Sequence, residues 1–182
     1  MNLQLSESSK SDILGVREMS VSGINQVAYG NMVRSSLSMF LAEILLKTIE
    51  DNYSNGLLFE YLWGSIDLLS TTRHPNNFHL LFLMNLTAFY GFRPQMPDEM
   101  EGYFDLENGT FSKIPSNFSL SVEESRVWST VLGTKFEGLS KLDLSGLERK
   151  KLLNNLIDYY RLHVSGFKQV NSHAILEAVF HD

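Results

Sequence analysis

Apolar residues recur at helical spacing along most of the chain after residue 30. Between residues 33 and 52 they fall three and four positions apart on one face, which predicts an amphipathic helix. Residues 57–69, after the Asn55-Gly56 turn signal, predict a second helix. Residues 76–90 predict a third helix that is apolar over more than half of its circumference. We therefore expect this third helix in the middle of a helical bundle.

Two later helices are predicted to begin at serine residues. Ser121 is followed by Glu124, and Ser145 is followed by Glu148. A serine and a glutamate three positions apart form a capping box, because each side chain satisfies a free backbone N–H group at the helix start. These signals predict helices over 121–132 and 145–164. A short last helix is expected to begin after Asn171 or Ser172 and to bury Ile175, Leu176, Val179 and Phe180.

Residues 92–120 interrupt the helical pattern. Three prolines in this region exclude a long helix. Asn108-Gly109 lies between the β-prone runs 103–106 and 110–111, and Asn-Gly adopts the positive φ angles of a tight type I′ turn. The region is therefore predicted to contain one β-hairpin, inserted into a domain that is otherwise helical.

The first thirty residues differ in kind from the rest. They give short strand-like signals with too little material for a stable sheet, at Leu3, Leu5, Ile13, Leu14 and Val16. The predicted organisation is thus an N-terminal remnant over 1–30 and a mainly α-helical domain over 31–182. The hairpin-containing insertion of that domain covers about 92–120.

Composition acts mainly by exclusion. A chain of 182 residues with 43% hydrophobic and 20% charged residues can build a packed core, so global disorder is excluded. The chain has no cysteine, which excludes disulfides, thiolate zinc sites and a cysteine nucleophile. No apolar run is long enough to span a bilayer, and the first residues are polar rather than signal-like. These features predict a soluble, cytoplasmic protein.

No catalytic motif is present in the sequence. His74 and His79 are separated by Pro75 and do not have the spacing of a HEXXH zinc pair. The chain also lacks a GxSxG elbow and the glycine-rich phosphate loops. We expect no catalytic residue, no metal and no cofactor, and a metal hydrolase is the least supported interpretation. Trp63 and Trp128 are able to stack on bases, but their helical spacing favours positions in the core.

The charge pattern limits contact with nucleic acid. A net charge of −6 disfavours phosphate binding by the whole surface. One basic stretch runs from 145 to 168 and contains Arg149, Lys150, Lys151, Arg161 and Lys168. A solvated helix face is the ordinary interpretation of such a stretch. If the domain contacts a phosphate backbone, Arg149, Lys150 and Lys151 are the candidates, because they form its densest positive charge.

Several short stretches occur in an informative order. These are LSMFLAEILL at 37–46, LFEYL at 58–62, NFHLLFL at 77–83, YGFRP at 90–94, YFDLENGTF at 103–111, YYRLH at 159–163 and ILE at 175–177. The fifth is similar to an FDL-x-x-G-x-F stretch, and the last two to a YY-x-x-H … VL-x-E ending. In this order they resemble the C-terminal half of RecO, a family of bacterial recombination mediators. The resemblance covers about residues 1–182, and it is strongest to the Bacteroidetes-type members.

The resemblance implies a recombinational-repair accessory rather than an enzyme. RecO-like proteins bind and anneal single-stranded DNA, contact the acidic tail of the single-strand-DNA-binding protein, and act with RecR to load RecA. An acidic tail ending in phenylalanine needs an apolar pocket and nearby cations. The resemblance places this function in the helical half, where Lys47, Phe82 and Arg93 are the candidates. The alternative is a structural or oligomerising helical domain without DNA activity.

The chain departs from the family pattern at two places. Many RecO proteins carry a four-cysteine zinc ribbon where this chain has residues 94–120 without cysteine, so no metal is carried over. Residues 1–24 resemble only the closing segment of the family's N-terminal OB-fold. The DNA-binding groove of that barrel lies largely outside the resemblance, and we therefore expect weak binding to single-stranded DNA, micromolar or worse.

Overall fold

The computed structural model describes residues 2–8, 11–20, 31–49, 55–97, 102–167, 169–172 and 176. The elements in chain order are β1 (Asn2–Ser8), β2 (Ser11–Ser20), α1 (Met32–Thr48), α2 (Gly56–Thr71), α3 (Phe78–Leu86), β3 (Tyr103–Asp105), β4 (Thr110–Ser112), α4 (Val122–Leu132) and α5 (Gly146–His163). Short 3-10 helices cover Pro75–Asn77 and Phe136–Lys141. The predicted fold class, mainly α with one small hairpin insertion, is confirmed.

Helix α3 is the centre of the core, as predicted. Every residue from Phe78 to Met84 is buried, and so is Leu86. Helices α4 and α5 both pack against it. The helix is shorter than predicted because Pro75 starts a 3-10 turn and the backbone after Leu86 passes through turns to Gly91, where φ is +78°. The apolar residues on all sides of α3 are thus buried by contacts with neighbouring helices.

The helix starts follow their capping residues. The N–H of Glu124 donates to Ser121 Oγ at 3.2 Å, and the N–H of Ser121 donates to Glu124 Oε2 at 3.2 Å. The same reciprocal pair forms between Ser145 and Glu148. Both predicted capping boxes are therefore confirmed. Asparagine side chains cap the other two long helices, Asn31 for α1 and Asn55 for α2.

Helix α1 ends earlier than the predicted stop at Asn52. Its last residue is Thr48, whose hydroxyl donates to the Ile44 carbonyl at 3.0 Å, and Ile49 is extended. A threonine hydroxyl that bonds back to the preceding turn competes with continued helix. Residues 50–54, which include Asn52, lie outside the described residues.

The predicted hairpin is confirmed, but its turn differs from the prediction. Strands β3 and β4 are antiparallel, with Phe104 opposite Phe111 and Asp105 opposite Thr110. The loop therefore has four residues, 106–109, and the predicted two-residue type I′ turn is wrong. Asp105 closes this loop: its Oδ1 accepts the N–H groups of Glu107 and Asn108 at 2.9 and 2.8 Å.

The two ends of the chain contain an N-terminal strand pair and the region of the predicted last helix. Strands β1 and β2 form an antiparallel pair with irregular register near Gln4 and Ser6. Their assignment to the end of an OB-fold, and the domain boundary at residue 30, remain predictions. The predicted last helix lies outside the described residues except for Leu176, which is buried and donates its N–H to the Ser172 carbonyl at 3.2 Å.

Candidate nucleic-acid interface

A polar cavity of about 450 Å³ opens beside the start of α5. It lies between the segment 73–77, which follows α2, and the segment 139–144, which precedes α5. Its charged or titratable lining residues are Arg73, His74, Asp143 and Arg149. Two guanidinium groups against one carboxylate make the lining net positive, and Asn76 and Ser140 add hydrogen-bonding groups. Such a cavity suits an anion.

Arg149 also has a structural role in this cavity. Its Nε donates to Asn77 Oδ1 at 2.9 Å, and its Nη2 donates to the Leu144 carbonyl at 3.2 Å. Asn77 in turn donates its amide to the Leu142 carbonyl at 2.7 Å. Burial lowers the pKa of Arg149, but a guanidinium stays charged in proteins. Arg149 thus joins α5 to both cavity walls and leaves its charge at the cavity.

The other two predicted DNA-contact residues do not share this position. Lys150 is exposed on α5, and Lys151 lines a separate, mainly apolar cleft of about 100 Å³ between the starts of α4 and α5. Three carboxylates line the same cleft, those of Glu123, Glu124 and Glu148. Successive helical residues point about 100° apart, which explains the divergence. Lys168, at the end of the basic stretch, lies outside the described residues.

No pattern in the sequence identifies Arg73 as a partner of Arg149. The two residues are far apart in the chain, and Arg73 follows α2 without any motif around it. Only the packing of the 73–77 segment against the start of α5 places both at one cavity.

The three candidates for binding an acidic tail fall into two environments. Lys47 Nζ lies 3.3 Å from Glu43 Oε1, and Arg93 is exposed after the turn that follows α3. Their segments are joined, because the Tyr90 hydroxyl donates to Thr48 Oγ1 at 3.1 Å. Phe82 differs, since it is only 2% exposed.

The ring of Phe82 is occupied by the core. It stacks on Tyr61 with centroids 5.3 Å apart and on Phe78 at 6.3 Å. The partly exposed aromatic residues beside Arg93 are instead Tyr90 and Phe92, whose rings stack 6.3 Å apart. Apolar periodicity identifies an apolar helix face, but it does not separate a buried ring from an accessible one.

A carboxylate on α1 that the sequence did not single out holds the segment 171–172. Glu43 accepts the N–H groups of Asn171 at 3.0 Å and Ser172 at 2.8 Å, and also the Ser172 hydroxyl. Partial burial raises the pKa of Glu43, but these hydrogen bonds together with Lys47 outweigh it and lower the pKa to about 2. These partners lie 128 and 129 residues from Glu43 in the chain, so no local signal predicts the contact.

Among the histidines that the structure describes, His79 lies in the core. His79 is fully buried, with its ring edge-on to Phe40 at 6.1 Å. Burial and, to a smaller extent, the charge of Arg149 lower the pKa of His79 to about 3, so the ring is neutral at pH 7. Within the part of the chain that the structure describes, no group of three or more His, Cys, Asp or Glu is placed to hold a metal ion.

The YYRLH stretch at the end of α5 fastens the insertion to the core. The Tyr159 hydroxyl donates to the Phe92 carbonyl at 2.7 Å, and the Tyr160 hydroxyl donates to the Leu83 carbonyl at 2.8 Å. His163 Nε2 lies 2.9 Å from the Leu106 carbonyl oxygen, and its ring stacks on Phe92. These residues therefore have positions typical of packing. None of the described helices is both long and apolar enough to cross a membrane.

Comparison with known proteins gives one consistent result. Residues 30–172 match the family model described as "Recombination protein O C terminal". The chain is 35% identical over 154 residues to the "DNA repair protein RecO" of Azobacteroides pseudotrichonymphae, covering 82% of this chain and 64% of that protein. It is 34% identical over 166 residues to the protein of the same name from Christiangramia forsetii, covering 91% of this chain and 70% of that protein.

A third relative of the same name shows similar identity and coverage. The "DNA repair protein RecO" of Phocaeicola vulgatus is 36% identical over 151 residues, which cover 81% of this chain and 63% of that protein. The chain thus spans about two thirds of the length of the relatives that it matches. No solved structure matches it significantly.

Proposed function

The chain belongs to the RecO family of DNA repair proteins, and from this we propose that it acts as a recombination mediator. In this proposal it anneals single strands and works with RecR and the single-strand-DNA-binding protein to load RecA, and it has no catalytic group of its own. The observation that carries the proposal is the family match across residues 30–172, which includes nearly all of the helical domain. We therefore expect contacts with DNA and with partner proteins on that domain.

We propose that the polar cavity is the place where the helical domain contacts the phosphate backbone. Support comes from its lining, in which Arg73 and Arg149 outweigh the single carboxylate of Asp143 and neutral groups add hydrogen bonds. Lys150 adds a further exposed cation next to Arg149 in the chain, whereas Lys151 is close to three glutamates and contributes less. The net charge of −6 opposes the approach of DNA, so we expect weak affinity. Affinity is expected to fall as salt is added, because each phosphate contact releases counterions.

The salt dependence of binding tests this contact. A fluorescein-labelled oligothymidine is titrated with the full chain at several salt concentrations, and anisotropy gives the affinity. Each phosphate contact to a single strand contributes about −0.7 to the slope of log affinity against log salt. The double variant Arg73→Ala, Lys150→Ala is expected to bind several-fold more weakly at low salt and with a slope less negative by about 1.4, since two contacts are lost.

Two further variants complete this test. Arg126→Ala removes an exposed cation on α4 and is expected to leave the affinity and slope unchanged. The triple variant Arg149→Ala, Lys150→Ala, Lys151→Ala tests the helix alone, with a slope change near 2 if all three residues contact phosphate. Because Arg149 also holds Asn77 and Leu144, this variant is first checked for folding by circular dichroism. If the double variant Arg73→Ala, Lys150→Ala and the triple variant both keep the affinity and the slope of the parent, the cavity is excluded from DNA binding.

We also propose that the acidic tail of the single-strand-DNA-binding protein binds beside Lys47 and Arg93. The partly exposed rings of Tyr90 and Phe92 are the apolar surface next to Arg93, in place of the buried Phe82. A labelled nine-residue acidic peptide ending in phenylalanine is the probe. Lys47→Ala and Arg93→Ala are each expected to weaken its binding several-fold, and a peptide without the last phenylalanine is expected not to bind.

The alternative function is a structural or oligomerising domain. It is supported by the observation that most apolar residues of α3 are buried in the core. If the chain binds neither the oligonucleotide nor the tail peptide saturably, this alternative replaces the mediator proposal for the helical domain.

A further inference from the structure

Helix α2 exposes an apolar stripe that the core does not use. Phe59, Trp63 and Ile66 are 64%, 56% and 44% exposed. They are four and three positions apart and so lie on one face of the helix. The rings of Phe59 and Trp63 stack with centroids 6.3 Å apart and an angle of 21°. A neighbouring face of α2, about 100° around the helix from the stripe, packs on the core through Leu58 and Leu69.

Two carboxylates run beside this stripe. Glu60 and Asp67 are both exposed, and each follows a stripe residue by one position, which is about 100° around the helix. Both therefore lie along the same edge of the stripe. Helix α2 contains no lysine, arginine or histidine, so its exposed face is apolar and negatively charged.

We propose that the stripe on α2 binds a cationic amphipathic helix of a partner protein. The apolar face of that helix covers Phe59, Trp63 and Ile66, and its lysine or arginine side chains pair with Glu60 and Asp67. Large aromatic residues on an exposed patch supply most of the binding energy at such interfaces, and complementary charge sets the partner and the orientation. This proposal goes beyond the DNA and tail contacts proposed above and uses different residues.

The charges argue against three other occupants. In an antiparallel pairing of two copies around Trp63, Glu60 of one copy would face Asp67 of the other, and like charges repel. Stacked aromatic rings bind single-stranded bases in other proteins, but they do so beside cations that hold the phosphates. Here the charged side chains of α2 are both carboxylates, which repel phosphates and anionic lipid headgroups alike.

A designed peptide provides the probe. It has eighteen residues of leucine, alanine and lysine, with leucine on one helical face, lysine beside it and fluorescein at one end. We expect the full chain to bind it saturably, as measured by anisotropy. A peptide with glutamate in place of lysine is expected to bind at least ten-fold more weakly, and a scrambled peptide of the same composition likewise.

Protein variants then locate the site. Trp63→Ser is expected to weaken binding of the lysine peptide at least ten-fold. The double variant Glu60→Lys, Asp67→Lys is expected to exchange the preference, so that it binds the glutamate peptide better than the lysine peptide. The matched control is Leu46→Ser on α1, a side chain that is 84% exposed and outside the stripe, which is expected to leave binding unchanged.

Tryptophan fluorescence gives an independent readout. Trp63 is exposed and Trp128 is fully buried, so acrylamide quenching reports on Trp63. Bound peptide is expected to protect Trp63 from quenching and to shift its emission to the blue. We expect every variant to fold, because all substituted side chains point to solvent. Circular dichroism and the thermal midpoint of each variant check this.

Four results would overturn the proposal. One is equal binding of the lysine, glutamate and scrambled peptides, and another is unchanged lysine-peptide binding in Trp63→Ser. A dimer in sedimentation that Trp63→Ser dissociates would assign the stripe to a second copy. Binding to oligothymidine or to anionic vesicles that Trp63→Ser abolishes would assign it to nucleic acid or lipid.

Discussion

At Gly109 the hairpin loop passes so close to α5 that only glycine fits. The backbone φ is +66°, and a Cβ placed there would lie 2.6 Å from the Tyr159 hydroxyl oxygen. The same hydroxyl donates to the Phe92 carbonyl at 2.7 Å, so it has little freedom to move. One residue without a side chain therefore allows the insertion to pack against the end of α5.

Gly109→Ala is expected to destabilise the protein by about 1–3 kcal/mol, because alanine is strained at positive φ and displaces Tyr159. Urea unfolding followed by circular dichroism measures the change. The matched control is Gly64→Ala, where a Cβ meets nothing within 4 Å in the exposed middle of α2. That variant is expected to gain about 0.5–1 kcal/mol. Equal effects of the two substitutions would contradict the contact.

Glu43 stabilises the fold through its charged form. Its pKa is about 2 in the folded protein against 4.5 for the ordinary group, so its contribution is fully present above pH 4.5 and is lost as the pH falls towards 2. We expect Glu43→Gln to be less stable than the parent at pH 7 and the difference to shrink below pH 4.5. Denaturant unfolding at a series of pH values checks this. Glu60→Gln, at an exposed glutamate, is expected to change stability at pH 7 by no more than about 0.5 kcal/mol.

At the scale of elements, side chains from helices satisfy the backbone of the insertion. The buried N–H of Phe104 in β3 donates to Ser125 Oγ of α4 at 2.8 Å. Phe104 also stacks on Trp128 of the same helix, with centroids 4.4 Å apart. The short hairpin is too small to be stable alone, so its position depends on this contact with α4.

Ser125→Ala is expected to destabilise the protein by about 1–3 kcal/mol, because it leaves the buried N–H of Phe104 without its acceptor. Thr130→Ala on the same helix is the control, since its exposed hydroxyl bonds only to the Arg126 carbonyl among the described contacts. Thermal unfolding separates the two variants. A loss in Thr130→Ala as large as in Ser125→Ala would mean that helix propensity, rather than the link to β3, determines the effect.

At the scale of the whole molecule, the burial of one histidine makes the stability of the fold depend on pH below 6.5. His79 has a pKa of about 3 in the fold against 6.5 for the ordinary group. The unfolded chain therefore binds a proton between these values that the folded chain does not. His79 therefore costs no stability well above pH 6.5, and its cost grows as the pH decreases towards 3, by up to about 1.4 kcal/mol per pH unit.

His79→Leu is expected to remove this loss between pH 6.5 and 4.5. At pH 8 the side chain at position 79 is neutral in both the parent and His79→Leu. The difference in their unfolding free energies at this pH therefore measures packing alone and serves as the control. Glu43→Gln is expected to retain the loss in this window, and the pH dependence of its stability is expected to differ from that of the parent only below pH 4.5. A parent protein whose unfolding free energy is flat from pH 8 to 4.5 would contradict the role of His79.

The sequence alone determined the features whose causes are local. Capping boxes place their own helix starts, because serine and glutamate interact across one turn. The hairpin and the central position of α3 also follow from residues within one element. The turn type was the exception, since Asp105 closes a longer loop with its side chain.

Only the tertiary structure decided which side chains are available for function. Phe82 and Trp63 are both aromatic residues on helices, yet Phe82 is 2% exposed and Trp63 is 56% exposed, although helical spacing favoured a core position for the tryptophan. Arg149 shares a cavity with Arg73, whereas Lys151, two residues later, shares its cleft with glutamates. The physical reason is the same in each case. Periodicity specifies the face on which a residue lies, but the neighbouring elements that cover that face or bring charge to it come from distant parts of the chain.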